Sequence, residues 1–182
     1  GVEVTAIEDN GDYLEHVLVG GELDIAVMVI SNLRDRMALQ AEILEISPYR
    51  LWLPLGHPLT TAEIISLADV AAEPLIMLTI DEIEENTGKL LMALGARPHV
   101  AFRTRSVEAV RSLVATGAGV ALLPDLVYRP WSLEGDRIES RDISGSLPVV
   151  QVGMVWRRGL GLQQSARDFI GIAQGQRTMR QR

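Results

Sequence analysis

Apolar and polar positions along the chain change period several times, and each change marks an element. Val2 to Ile7 alternates and reads as a strand. Asn10 and Gly11 break it, and Asp12 with Glu15 has the spacing of a capping box ahead of a helix from about Tyr13 to Val19, stopped by Gly20 and Gly21. Ile25 to Ile30 is a continuous apolar run suited to a strand buried on both faces, completing a βαβ unit. Ile43 to Ile46 and Leu51 to Leu53 are two further short strands, separated by the Ser47-Pro48 breaker, before the exposed turn Gly56-His57-Pro58.

The alternation then restarts. Thr60 and Glu63 form a second capping box for a short helix from Glu63 to about Ala68, and Leu75 to Leu78 is a strand. A helix is expected over Glu82 to Leu94, frayed at Asn86-Thr87-Gly88 and stopped by Gly95. Val100 to Thr104 is the next strand. Ser106 is placed to cap a helix in which Val107, Val110, Leu113 and Val114 recur at helical spacing, with Gly117 and Gly119 as its stops. Val120 to Leu123, Ile138 to Ile143 and Val149 to Trp156 read as strands, a last helix runs from about Gln163 to Ala173, and a polar tail follows. Strand and helix alternate throughout, which predicts an α/β protein with parallel sheets covered by helices.

Composition narrows what such a protein does. Of 182 residues, 47% are hydrophobic, enough to bury one sizeable core or two small ones. The longest apolar run has strand length, so no bilayer crossing is expected. The net charge of -7 opposes sequence-independent attraction to phosphate backbones. With no cysteine there is no disulfide, thiolate metal site or cysteine catalysis.

Motif-level chemistry is sparse. His16, His57 and His99 lack the close spacing of a local metal motif, so no metal and no cofactor is expected. Gly117-Ala118-Gly119 has Leu122 at the third position of a dinucleotide fingerprint and follows a helix, so its order is reversed. Gly88-Lys89 is followed by Leu90 where a phosphate loop needs Ser or Thr. No G-x-S-x-G elbow occurs, and no catalytic residue is assigned. Arg103 and Arg105 flank Thr104 on one strand face and can clamp a carboxylate, although pairing with nearby surface acids is the expectation. The acidic run Asp81, Glu82, Glu84 and Glu85 is read as a solvated face.

Four segments occur in a telling order: GGELDIAVM (Gly20 to Met28), LWLPLGHPL (Leu51 to Leu59), ISLADVAAEPLIML (Ile65 to Leu78) and VEAVRSLVATGAGVALLPD (Val107 to Asp125). With the closing VGMVWRRGLGLQQSARDFI (Val152 to Ile170), they resemble the effector domain of bacterial LysR-type transcriptional regulators. The resemblance implies a type 2 periplasmic-binding-protein-like fold, two Rossmann-like lobes with an effector cleft between them. Lobe one is then residues 1–53 and 157–182, lacking the family's first strand and helix and with its tail after about 173, and lobe two is 54–156.

It also implies a cytoplasmic, non-enzymatic sensor of a small organic acid or metabolite. DNA contact is expected only through a helix-turn-helix domain that these residues do not include, in a homodimer or homotetramer. The alternative is a solute-binding protein of a transport system with the same fold. In open α/β sheets ligands lie beyond the carboxyl ends of strands. By that rule and the resemblance, the expected effector contacts are Asn10, Gly11, Ile30 and Ser31 in one lobe and Thr79, Ile80, Asn86 and Thr87 in the other. Turn formation and helix capping use the same residue types.

Overall fold

The computed structural model describes residues 1–93, 98–159 and 161–180. The chain forms two compact units, one of Gly1–Ile46 with Val150–Arg182 and one of Ser47–Val149. Both boundaries lie N-terminal to the crossings expected near Leu53 and Trp156.

The first unit begins with α1 (Gly11–Gly20) and β1 (Ala26–Val29), takes the opening part of β2 (Leu39–Pro54), and closes with β7 (Val149–Arg157) and α5 (Gln164–Arg180). Leu14, Val17 and Leu18 recur at helical spacing on α1 and are buried. Leu14 and Leu18 pack with Ala26, Ile30, Leu33, Leu39 and Val155. Gly21 ends α1 at φ 81°, its N–H donating to Leu18 while Glu22 N–H reaches Val17. β7 lies between β1 and β2, antiparallel to β1 with Met28 opposite Gly153.

Several expectations fail in this unit. Residues 1–10 have no regular secondary structure, and Val2, Val4 and Ile7 are exposed. Alternation specifies a strand only when a neighbour takes up its N–H and C=O groups, and no described strand pairs with this segment. The expected βαβ unit is therefore not formed among the described residues. β1 is shorter than Ile25 to Ile30 and is not buried on both faces, since Val27 is exposed. Asp12 and Glu15 do not make the capping box. Asn10 caps α1 by accepting from Tyr13 N–H at 2.9 Å. Glu15 is buried and accepts from the Arg34 N–H at 3.2 Å and from the Asp35 N–H, which fixes the loop after β1. α5 also runs past Ala173 to Arg180, in place of the expected tail.

The second unit holds α2 (Leu67–Ala71), β3 (Leu75–Leu78), α3 (Asp81–Ala93), β4 (Val100–Thr104), α4 (Val107–Ala115), β5 (Ala121–Pro124) and β6 (Ile138–Arg141). β3 and β4 are parallel, and Leu75 makes a further parallel bridge to Val120. The rest of β2 runs antiparallel to β5 on one side and β6 on the other. The expectation of parallel sheets thus holds only around β3. Trp52, Ile76, Leu78, Val110, Val114, Ala121, Leu123 and Ile138 form the buried core.

β2 continues straight through Ser47-Pro48 instead of breaking into two strands. A proline removes one ladder donor, which is tolerated where no partner needs it. Pro48 is exposed and precedes Tyr49, the first residue paired with β5. The Thr60/Glu63 box is absent as well, and a single 3-10 turn covers Pro58–Thr60. Ser66 and Asp69 cap α2 reciprocally instead. α3 runs unbroken through Asn86, Thr87 and Gly88, while Leu94 and Gly95 lie outside the described residues.

Ser106 caps α4 as expected, accepting from Ala109 N–H at 3.2 Å. Gly117, at φ 77°, stops that helix. Gly119 serves a close approach instead. A Cβ there would lie 2.5 Å from the Pro74 carbonyl oxygen, so its missing side chain lets the chain pass beside β3.

Hydrogen bonds from Ser66 hold the Asp69 carboxyl below the usual aspartate range. A group whose folded pKa is depressed stabilises above its unfolded value, and that contribution disappears as pH falls through the depressed value. We expect exchange of the Asp69 amide hydrogen to accelerate, relative to the α4 core amides, only below the ordinary aspartate pKa. Acceleration already near neutral pH would contradict the capping role.

Candidate functional site

Each unit brings some of the expected contacts together. In the first, α1 starts beside the end of β1: a Cβ on Gly11 would lie 3.4 Å from Met28 Cε. Asn10 is exposed and its side-chain oxygen is engaged as the helix cap. Ile30 is buried, and its N–H donates to the Gln151 carbonyl at 2.8 Å. Ser31 Oγ accepts from the Gln151 N–H at 3.2 Å, and its carbonyl accepts from Arg36 Nη2 at 3.1 Å. Ile30 and Ser31 thus tie the segment after β1 to β7. Gln151, which sequence reasoning missed, is the residue that orients both.

In the second unit the carboxyl ends of the parallel pair β3 and β4 lie side by side, and each leads into a helix. Thr79 donates to the Thr104 carbonyl from its N–H at 2.8 Å and from its hydroxyl at 3.3 Å. Thr104 Oγ1 in turn accepts from the Ser106 N–H at 3.1 Å. Thr79, Thr104 and Ser106 therefore line up three hydroxyl residues where helix starts present free N–H groups. Thr104 and Ser106 are absent from the expected contacts, although a hydroxyl at the end of the second parallel strand was the available signal. Ile80 accepts from Ile83 N–H at 3.0 Å and packs against the core.

Asn86 and Thr87 lie further along α3. Asn86 is half-buried, whereas Thr87 is only 4% exposed and its hydroxyl has no hydrogen-bond partner among the described residues. A buried hydroxyl without a partner is costly and therefore informative.

Two ion pairs lie nearby. Arg103 binds Glu84 at 2.6 Å, the expected pairing with a surface acid, and Arg105 lies one residue beyond the end of β4. Lys89 binds Glu85 at 2.6 Å one helical turn away, and the hydrogen bond and charge of Lys89 lower the Glu85 pKa. Among the described residues no group of histidines and carboxylates is placed to hold a metal ion.

The family model of the LysR substrate binding domain matches residues 1–177. This chain belongs to that family. The hydrogen peroxide-inducible genes activator of Escherichia coli O6:H1 is 28% identical over 153 residues, covering 80% of this chain and 47% of that protein. The chain spans about half the length of the curated relatives it matches. The C-terminal domain of a probable LysR family regulator from Rhodococcus sp. RHA1 is similar with a TM-score of 0.82 and 28% identity, over 92% of this chain and 82% of that one. The effector binding domain of QuiR, in a complex with shikimate, shares the fold at a TM-score of 0.70 and 15% identity, over 91% of this chain and 77% of that one.

The fold is accordingly the type 2 periplasmic-binding-protein-like α/β fold of LysR effector domains. The match favours a LysR substrate-binding domain over the transport alternative. No described helix is long and apolar enough to cross a membrane.

Proposed function

We propose that this LysR substrate-binding domain senses a small organic acid or related polar metabolite by reversible binding, without turnover. The observation that carries the reading is the family match across residues 1–177. The ligand class is supported by the shikimate complex of a protein with the same fold and by the hydroxyls of Thr79, Thr104 and Ser106 beside two helix starts. The chemistry of this chain also separates it from a covalent peroxide sensor. Peroxide acts on proteins chiefly through thiolates, and the sequence contains no cysteine.

Asn10, Gly11, Ile30 and Ser31 in the first unit, and Thr79, Ile80, Asn86 and Thr87 in the second, are the proposed effector contacts. Thr87 has the strongest case, since its buried hydroxyl has no hydrogen-bond partner among the described residues. Effector binding then biases a two-state equilibrium of a longer, cytoplasmic, oligomeric DNA-binding protein, and only differential affinity for the two states supplies that bias.

A thermal-shift screen against small carboxylates, aromatic acids, amino acids and sugars tests the reading, because a ligand that binds the native state raises Tm increasingly above its Kd. Substituting Asn10→Ala or Thr79→Ala is expected to weaken the hit roughly tenfold, the loss of about one hydrogen bond to a charged ligand. Affinities unchanged in both variants would remove these residues from the site.

A further inference from the structure

Trp52 is fully buried in the core of the second unit, yet its indole Nε1 has no hydrogen-bond partner among the described residues. Two more buried polar atoms share that condition, Ser140 Oγ and Arg111 Nε, in residues that neighbour Trp52. Ser140 is the residue directly opposite Trp52 in the β2–β6 ladder, so both side chains stand on one face of the sheet. Arg111 comes from α4, which packs on that face. Its Cζ lies 5.9 Å from the Trp52 ring centroid, and the whole residue is only 7% exposed.

The rest of the arginine is engaged. Nη1 binds Glu108, and Nη2 donates to the Val127 carbonyl at 2.6 Å. Tyr128 packs edge-on to Trp52 at 5.7 Å and donates its hydroxyl to the Ile138 carbonyl at 2.8 Å, so it has no hydrogen to spare. An indole N–H and a guanidinium Nε–H can only donate, whereas a serine hydroxyl donates or accepts. Native cores leave few such groups unsatisfied, and three around one tryptophan point to a shared guest.

We propose that Trp52 Nε1, Arg111 Nε and Ser140 Oγ form an internal site for one small hydrogen-bond acceptor, a water molecule or a halide ion. A water accepting from Trp52 and Arg111 and donating to Ser140 makes three bonds, the usual number for a buried water. A halide accepts from all three. Either guest stitches α4 to β2 and β6 through polar contacts inside an otherwise apolar core.

Crystals of the chain grown in bromide, with data collected at the bromine absorption edge, distinguish the sources. An anomalous peak in contact with these donors identifies a halide. Oxygen-sized density without anomalous signal identifies water. Absence of density touching all three atoms overturns the site. Ser140→Ala gives an independent reading by its sign. If the hydroxyl bonds the guest, Tm falls by about 2–4 °C, as expected for the loss of roughly one hydrogen bond in a chain of this size. If the hydroxyl is an orphan, deleting it leaves Tm unchanged or raises it, which contradicts the proposal.

Discussion

Replacing Trp52 with alanine is expected to destabilise the second unit by about 3–5 kcal/mol, the range for truncating a large aromatic in a packed core. Trp52 is the largest of the fully buried side chains and joins the core from near the carboxyl end of β2. Its loss leaves a cavity bounded by Val110, Val114, Leu123 and Ile138, and removes the aromatic face under the buried Arg111 guanidinium and the edge contact with Tyr128. Trp52→Phe keeps much of the volume and should cost markedly less. Urea unfolding followed by far-UV circular dichroism measures both. A cost below about 1 kcal/mol for the alanine variant would mean that the core is not organised around this residue.

The second large effect is expected at Gly153→Val, where the difficulty is excess volume. Gly153 lies in β7 opposite Met28, and a Cβ there would stand 2.6 Å from the Glu42 carbonyl oxygen and 2.8 Å from Ile30 Cδ1. The side chain of Ile30 can shift, but the backbone oxygen of the neighbouring strand cannot do so without disturbing the ladder. Overpacking of this kind costs about 1–3 kcal/mol or more, and it presses on Ile30, one of the proposed effector contacts. Gly171→Ala is the matching control. It lies in α5 with open space around it, and helix propensity alone predicts a gain of about 1 kcal/mol at most. Denaturation midpoints of the two variants should move in opposite directions, and a neutral Gly153→Val would contradict the close strand approach.

The sequence is most legible where a pattern is both local and buried. Leu75 to Leu78 is a strand with all four residues buried, and Ser106 caps the helix whose valines and leucine recur beneath it. Legibility fails where the deciding partner is distant in sequence. Val2 to Ile7 has a strand pattern without a described strand beside it, and Glu15 has capping-box spacing but is used by the loop residues Arg34 and Asp35. Pro48 is a strong breaker in isolation and harmless within β2, because the ladder to β5 begins only at the next residue.

The candidate site shows the same division. The strand ends at Thr79 and Ile30 are readable from the apolar runs that lead into them. The pairing of Thr79 with Thr104, and of Ser31 with Gln151, depends on which strands lie next to each other. The family match supplies the function class, and the buried Thr87 hydroxyl emerges only from packing.

The most direct test of the proposed sensing role is a calorimetric titration of the chain with a hit from the ligand screen, followed by recovery and chemical analysis of the ligand. Saturable, reversible binding is expected, with the ligand recovered unchanged and a weaker isotherm for Thr79→Ala. Conversion of the ligand to a product, or the absence of saturable binding for every ligand class in the screen, would contradict a sensing domain.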